Sequence, residues 1–586
     1  MNETHHEELT KLAEETRFDS RGLRESMREL ASGITIGRSA FLEKVGAISE
    51  LEYKQQSMRD GHVMYHAHIG MNDMSATSAA LGKIHSVLDS RGFIMDRAGF
   101  AVDRRMGLPS DYWNRTAAET GPMLESIHDW EALAQSAPIQ PHMGDFMIGQ
   151  PASVESAIRS LEIGATTVGN LSQFFTFEAP GWTDTKATSL ETAKAMMLLG
   201  EFRDQGVMLH SYLEDGFGAL FKYCETVAAW AMFERYIVEE LTGARLTHCI
   251  GGLTSDPVKR AGWVLALQKI HLGDLVGSMI YGDTISFGPD FEKNRAVTSE
   301  YLLWDILIQL HSPSGHAVLP LPVTEAIRIP SADEIIEAQL FGRQVEQSAR
   351  RLYPHINFSG PEAFATRVVE HGERIFNDAL NGIKSLGVDV RNPVQLLYFL
   401  KKLGPQRFES LFASSLRPET AISTDMYQLS LSVIEQYRPV FNNPLNKKQV
   451  ANLKLLLAST DVHEHAIGAL AQLLDESGAE VTCLGAEQSP DQIFQCLQTE
   501  AFDAVLLSTH NGMALDYARQ LTGLIDNQFP DTKLIMGGVL NQKVENQALP
   551  VAVENELKTL GIIPVGQLPL LPGLLANSSR HLLGSN

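Results

Sequence analysis

Three loops in the last third of the chain hold residues able to do chemistry: Asp461-Val-His463-Glu-His465-Ala466, Ser508-Thr-His510-Asn-Gly512 and Gly537-Gly538. Imidazole is the commonest side-chain metal ligand, and its second ring nitrogen takes its orientation from a neighbouring acceptor. A small hydroxyl can line a narrow channel, and paired glycines let backbone approach a ligand closely. His463 lies 45 residues before Ser508, which lies 29 before Gly537. A single Asp-x-His triplet describes a surface turn ahead of a helix. Three such loops, each closing an apolar run, describe a site.

A second constellation lies in the first half. Eight short apolar or β-branched stretches, at 62–70, 91–99, 139–145, 163–171, 206–214, 245–253, 274–284 and 316–322, are each expected to be a strand. Polar or small residues stand toward their carboxyl ends: His66 and His68, Asp96 and Arg97, His142 and Asp145, Asn170, His210 and Glu214, Gly251 and Gly252, Asp283, then Glu325. One strand histidine is usually a hydrogen-bonded core residue. Several on one face make a polar, histidine-rich mouth.

The elements that must position these residues follow from periodicity. Residues 1–58 place apolar residues three and four apart and predict a helical arm. From 59 to 350, strands alternate with helical segments such as VESAIRSLE and VAAWAMFERYIVEELTG, and eight such units are what a (β/α)8 barrel requires. Residues 351–448 read as a helical extension ending in the linker PVFNNPLNKKQ. From 449 to 586 five strands alternate with helices, which predicts a flavodoxin-like doubly wound sheet with its ligand beyond the carboxyl ends. The fold class is α/β throughout.

The DxH, Ser and Gly-Gly loops resemble the cobalamin-binding domain of B12-dependent mutases and methionine synthase. Against the small subunit of glutamate mutase the register holds from Asp461 to Gly512, with Gly478 and Gly485 in step. The segments 164–207 and 323–339 are similar to the large subunit, and the fused layout resembles 2-methyleneglutarate mutase. The resemblance implies an adenosylcobalamin cofactor held between the barrel mouth and the terminal domain. It implies His463 as the cobalt's lower axial ligand, Asp461 bonded to the other nitrogen of that ring, and Ser508, Gly537 and Gly538 along the detached nucleotide tail. His465 is the rival ligand, but choosing it breaks the register with Gly478. Two positions depart from the motif: Ala466 replaces its glycine, and His510 replaces an apolar residue.

The same resemblance places Glu325 on the adenosine ribose, with Leu321 where the family has a lysine. It places His68, His142 and Arg104 (or Arg105) where glutamate mutase has three arginines, and Asn170 where it has a catalytic glutamate. Guanidinium forks match carboxylates bidentately, and neutral imidazoles do not. The expected reaction is therefore a radical carbon-skeleton isomerisation of a small carboxylic or amino acid other than glutamate. His68, His142 and Asn170 are the catalytic candidates, and Arg104, His68 and His142 the substrate-binding ones. The alternative is a corrinoid-dependent methyltransferase. A cobalamin sensor is disfavoured because no basic recognition helix accompanies the domain, and a pyridoxal phosphate aminomutase because it needs a Schiff-base lysine and lysines are scarce near the strand ends.

Composition narrows the partners. Among 586 residues, 48 Lys and Arg stand against 71 Asp and Glu, a net charge of −23 with no basic stripe, which argues against nucleic acid. Cys224, Cys249, Cys483 and Cys496 have neither CxxC nor metal-ligand spacing, and the first twenty residues lack a signal-peptide core. The expectation is a cytoplasmic homo-oligomer with a small-molecule substrate and no membrane partner.

Overall fold

A computed structural model describes residues 3–116, 121–460, 465–485, 488–510, 512–525, 528–542 and 550–576. Asp461 and His463 lie outside them, as does the side chain of His465. The chain divides into two compact units at Asp425/Met426, and the segment Thr324–Arg328, which carries Glu325, groups with the second.

The first unit contains eight short strands: β1 (His66–Ile69), β2 (Arg97–Phe100), β3 (Gln140–His142), β4 (Thr167–Gly169), β5 (Met208–Tyr212), β6 (Leu246–Cys249), β7 (Met279–Ile280) and β8 (Ala317–Val318). They form parallel sheets β1-β2-β3, β4-β5-β6 and β7-β8. Isolated parallel bridges Met143↔Val168, Ile250↔Ile280 and Tyr65↔Val318 link these sheets to one another. Each strand falls inside an expected stretch or overlaps it, but only two to five residues of each stretch are paired.

The placement of three residues is corrected here. Asp96 and Arg97 stand at the amino end of β2, not its carboxyl end, because the pairing stretch is Arg97–Phe100 and the apolar residues Phe93–Met95 precede it, and His66, the partner of Arg97, likewise opens β1.

Side chains alternate along the strands. Ala67, Ile69, Ala98 and Phe100 enter the large apolar core shared with the surrounding helices, which leaves His66, His68, Arg97 and Gly99 on the opposite face. The helices begin on local signals. Asp256 accepts from the backbone N–H groups of Val258 and Lys259 ahead of Pro257–Ile270, and Ser331 with Glu334 forms a capping box for Ala332–Leu352. The helix Ser359–Ser385 lies on Cys224–Arg235 and Pro257–Ile270. Phe364 packs where a Cβ on Gly262 would collide with it.

The helix Glu50–Asp60 is built into this unit. Lys54 Nζ donates to the carbonyls of Gly277 and Ser278 (both 2.8 Å) and Gly315 (2.7 Å), just ahead of β7 and β8. Glu50 lies 3.6 Å from Lys54 and 3.2 Å from Arg97, so a buried ion triad closes the amino ends of the strands.

The second unit is a parallel sheet of five strands: β9 (Lys454–Ser459), β10 (Glu480–Cys483), β11 (Ala504–Thr509), β12 (Lys533–Gly538) and, after the short antiparallel pair β13 (Asn541–Gln542) and β14 (Val551–Ala552), β15 (Ile562–Val565). Its order is β10-β9-β11-β12-β15. Leu455 and Leu457 enter one core while Leu456 and Ala458 enter the other, so both faces are covered and the strand reads as a continuous apolar run.

Candidate functional site

The order β10-β9-β11-β12-β15 places a topological switch between β9 and β11, where connections leave to opposite faces. In open α/β sheets the crevice beyond the carboxyl ends at such a point receives the ligand. The first two loops singled out by the sequence leave from these two strands, and the Gly-Gly pair closes β12. Ser508 pairs with Ser459 on one side and Gly537 on the other, so the carboxyl ends of β9, β11 and β12 share one row across the sheet.

Backbone approaches closely along this row. Gly538 has φ +99°, and a Cβ there would collide with the Thr509 carbonyl and sit 3.2 Å from the His510 ring. The unexpected His510 thus lies against the space that Gly538 leaves. Ala466 falls within the helix His465–Glu476, whose backbone accepts alanine without cost. Gly478 and Gly485, the two register glycines, both have positive φ (91° and 89°), which favours glycine there. Thr460 Oγ1, next to the row, is buried with no hydrogen-bond partner in the protein. Glycine backbone along this row, with an unmatched hydroxyl beside it, suits the close approach of a long polar ligand tail.

Residues 454–554 match the family model described as B12 binding domain. The second unit contains a B12 binding domain. The chain is thereby supported as a cobalamin-dependent enzyme or methyltransferase in general, with a cobalamin as cofactor. No curated protein matches the chain. No helix among the described residues is long and apolar enough to cross a membrane.

In the first unit the structure gathers four imidazoles. His66 lies edge-on to His68 (ring centroids 4.9 Å) and to His142 (5.8 Å), and His142 is edge-on to His210 (4.6 Å). His68 also meets Tyr281 at 5.1 Å, which stacks flat on Tyr212. Burial, reinforced by the Arg97 guanidinium, holds His66, His142 and His210 well below the usual imidazole range and brings His68 down to about 4. All four are neutral near pH 7.

The remaining candidates have defined surroundings. Asn170, just past β4, accepts from the backbone N–H of Tyr212 (2.8 Å) and Ser172 (3.2 Å) and donates to Asp215 (2.8 Å). Its amide ties the carboxyl ends of β4 and β5 together. Arg105 is bidentate to buried Asp103, at 3.0 and 2.9 Å, so its fork is engaged. Arg104 is half-buried in the same short helical turn, and Glu325 is half-buried in the turn after β8.

Sequence reasoning missed a buried chain behind β6. His248 Nδ1 lies 2.9 Å from His271 Nε2, and its Nε2 lies 3.1 Å from Glu234. Glu234 in turn accepts from Ser172 (2.7 Å) and Trp230 (3.1 Å). The available signal was period two: His248 alternates with Thr247 and Cys249 and so faces the helices.

Proposed function

We propose that the chain is an adenosylcobalamin-dependent isomerase that rearranges the carbon skeleton of a small carboxylic or amino acid. The observation that carries this reading is the row Ser459–Ser508–Gly537 at the switch point of a B12 binding domain, preceded by eight parallel strands with a histidine-rich interior. The parallel pairs and the three bridges support closure of those strands as a (β/α)8 barrel, whose carboxyl ends carry the chemistry.

On this reading His463 would hold the cobalt through one ring nitrogen, and Asp461 would fix its tautomer. Ser508, Gly537 and Gly538 hold the nucleotide tail. When bound, the cofactor supplies homolysis of its cobalt–carbon bond and with it a carbon radical able to take hydrogen from the substrate. The protein's own residues bind, orient and exclude water. Arg104 holds one carboxylate of the substrate, Glu325 holds the ribose, and His68 and His142 face a less charged group. Asn170, committed to three partners, keeps the site's wall in place. An isomerase needs no second substrate, so a closed, dry interior suits it.

A corrinoid methyltransferase is the second reading, since the same domain match fits it. Against it, all six tryptophans lie at or before Trp304, so no tryptophan from the second unit's helices can cover an upper methyl ligand.

The test is spectroscopic. The full chain labelled with 15N-histidine is loaded with adenosylcobalamin, photolysed and examined by electron paramagnetic resonance. Nitrogen superhyperfine splitting of the cobalt lines that follows the histidine isotope and vanishes in His463→Gln is expected. Splitting from the cofactor's own base, unchanged by the label, overturns the assignment. Tighter retention of methylcobalamin than of adenosylcobalamin favours the methyltransferase.

A further inference from the structure

The four imidazoles present an unsolved hydrogen-bonding account. Both ring nitrogens of His66 and His142, Nε2 of His68 and Nδ1 of His210 are buried with no hydrogen-bond partner in the protein. Buried polar atoms in native proteins are almost always paired, so six in one cluster require an explanation. Packing among themselves does not provide it. The rings meet edge-on at centroid separations of 4.6–5.8 Å without a nitrogen–nitrogen bond, whereas the nearby His248–His271 pair makes one at 2.9 Å. A metal does not provide it either: among the described residues no three His, Cys, Asp or Glu side chains are grouped to hold one.

Placement shows that the cluster is built. His68, Gly99 and His142 lie in one register row across β1, β2 and β3, and Gly169 of β4 lies beside His210 of β5. The imidazoles come from odd strands and the glycines from even ones. A Cβ on Gly99 would approach His66 Nε2 to 3.0 Å and His68 Nε2 to 3.2 Å, and one on Gly169 would reach His210 at 2.7 Å. Alternate strands supply each layer inside a (β/α)8 barrel, and branched apolar residues ordinarily fill it. This layer is polar instead, and glycines make room for it.

We infer that His66, His68, His142 and His210 form a binding layer for a small carboxylic acid whose second functional group is an uncharged hydroxyl or carboxamide. The inference rests on the proposed reading of His68 and His142 as substrate-facing, and it adds His66 and His210. A neutral imidazole offers one N–H donor and one lone pair. His66 and His142, with both nitrogens open, each present one of either kind. A hydroxyl or carboxamide both gives and takes a hydrogen bond and so uses both kinds. A second carboxylate takes donors only, leaves the lone pairs unmatched and brings a charge into a site whose imidazoles stay neutral.

The experiment uses the full chain free of cobalamin, so its outcome is independent of the axial-ligand test. Calorimetric titration compares four- and five-carbon acids in matched 3-hydroxy, monoamide and dicarboxylate forms. Hydroxy or monoamide acids are expected to bind about tenfold more tightly than the matched dicarboxylate, with His142→Phe and His210→Phe each weakening them about tenfold. In the unsubstituted protein labelled with 15N-histidine, the same probes should shift several imidazole signals, a readout that does not depend on the variants folding. Dicarboxylates binding best, none of the acids binding, or binding without change in imidazole signals each overturns the inference. Variants that melt higher and bind unchanged assign the cluster to packing.

Discussion

The buried pair His248–His271 gives a sharp test of the electrostatics of the first unit. His271 ends the helix Pro257–Ile270, and its ring Nδ1 faces Glu239 at 3.7 Å. Burial brings it down to about 4; the bond to Glu239 opposes that shift and His248 adds to it. An unfolded chain returns its imidazole to about 6.5. Between those values the unfolded state holds a proton that the folded state lacks, so stability falls as pH drops below about 6.5 and the loss is complete below about 4. From about pH 7 to about pH 5 this one group costs ~1.8 kcal/mol, at 1.36 kcal/mol per pH unit. His271→Gln keeps a donor and an acceptor and cannot take up the proton. Tryptophan fluorescence follows the first unit alone, because all six tryptophans lie at or before Trp304. Urea unfolding of both chains at the two pH values should show the unsubstituted protein losing ~1.8 kcal/mol more than His271→Gln. Other buried imidazoles, such as His66 and His210, act in both chains and cancel. Glu239, held at about 2 against burial by its bond from His271, titrates mainly below the window. Parallel pH dependence in the two chains refutes the reasoning.

Glu50→Gln leaves the buried cations Lys54 and Arg97 without their shared carboxylate, and a loss of about 3–5 kcal/mol is expected in the tryptophan-monitored transition. Gly538→Ala forces a Cβ onto the Thr509 carbonyl at positive φ; it should lower the melting temperature of the second unit by circular dichroism and weaken cobalamin retention, at a cost of about 2 kcal/mol or more. Leu457→Ala, in a strand covered on both faces, should destabilise the second unit by about 2–5 kcal/mol in the same assay. Gly99→Ala, between two imidazoles, should displace them and abolish the imidazole shifts that hydroxy acids produce, while Gly82→Ala, with open space about it, should not.

The second unit was legible because its sequence signals are local and its geometry follows from them. A strand such as Lys454–Ser459 is apolar at every step from Leu455 to Ala458, which only a sheet covered on both faces requires, and turn glycines such as Gly478 and Gly485 mark the ends of the elements. Order 2-1-3-4-5 then sets the carboxyl ends of β9 and β11 side by side. The first unit was legible in its rhythm and illegible in its interior. Strands of two to five residues leave the pattern too short to tell which end of a stretch is paired, and so Asp96 and Arg97 fell at the wrong end of β2. The direction of a side chain was the harder quantity. His66 and His68 share a face because they are two apart, yet His248 faces away from them; a one-residue step decides between the polar layer and the chain to Glu234. Nothing local records that choice. It is set by which neighbours the tertiary fold supplies: glycines inside, where Gly99 and Gly169 leave space, and a carboxylate outside, where Glu234 accepts. A histidine in this sequence therefore acquires its chemistry from the parity of its strand position, and the imidazoles left unpartnered by that parity are the ones with capacity to meet a substrate.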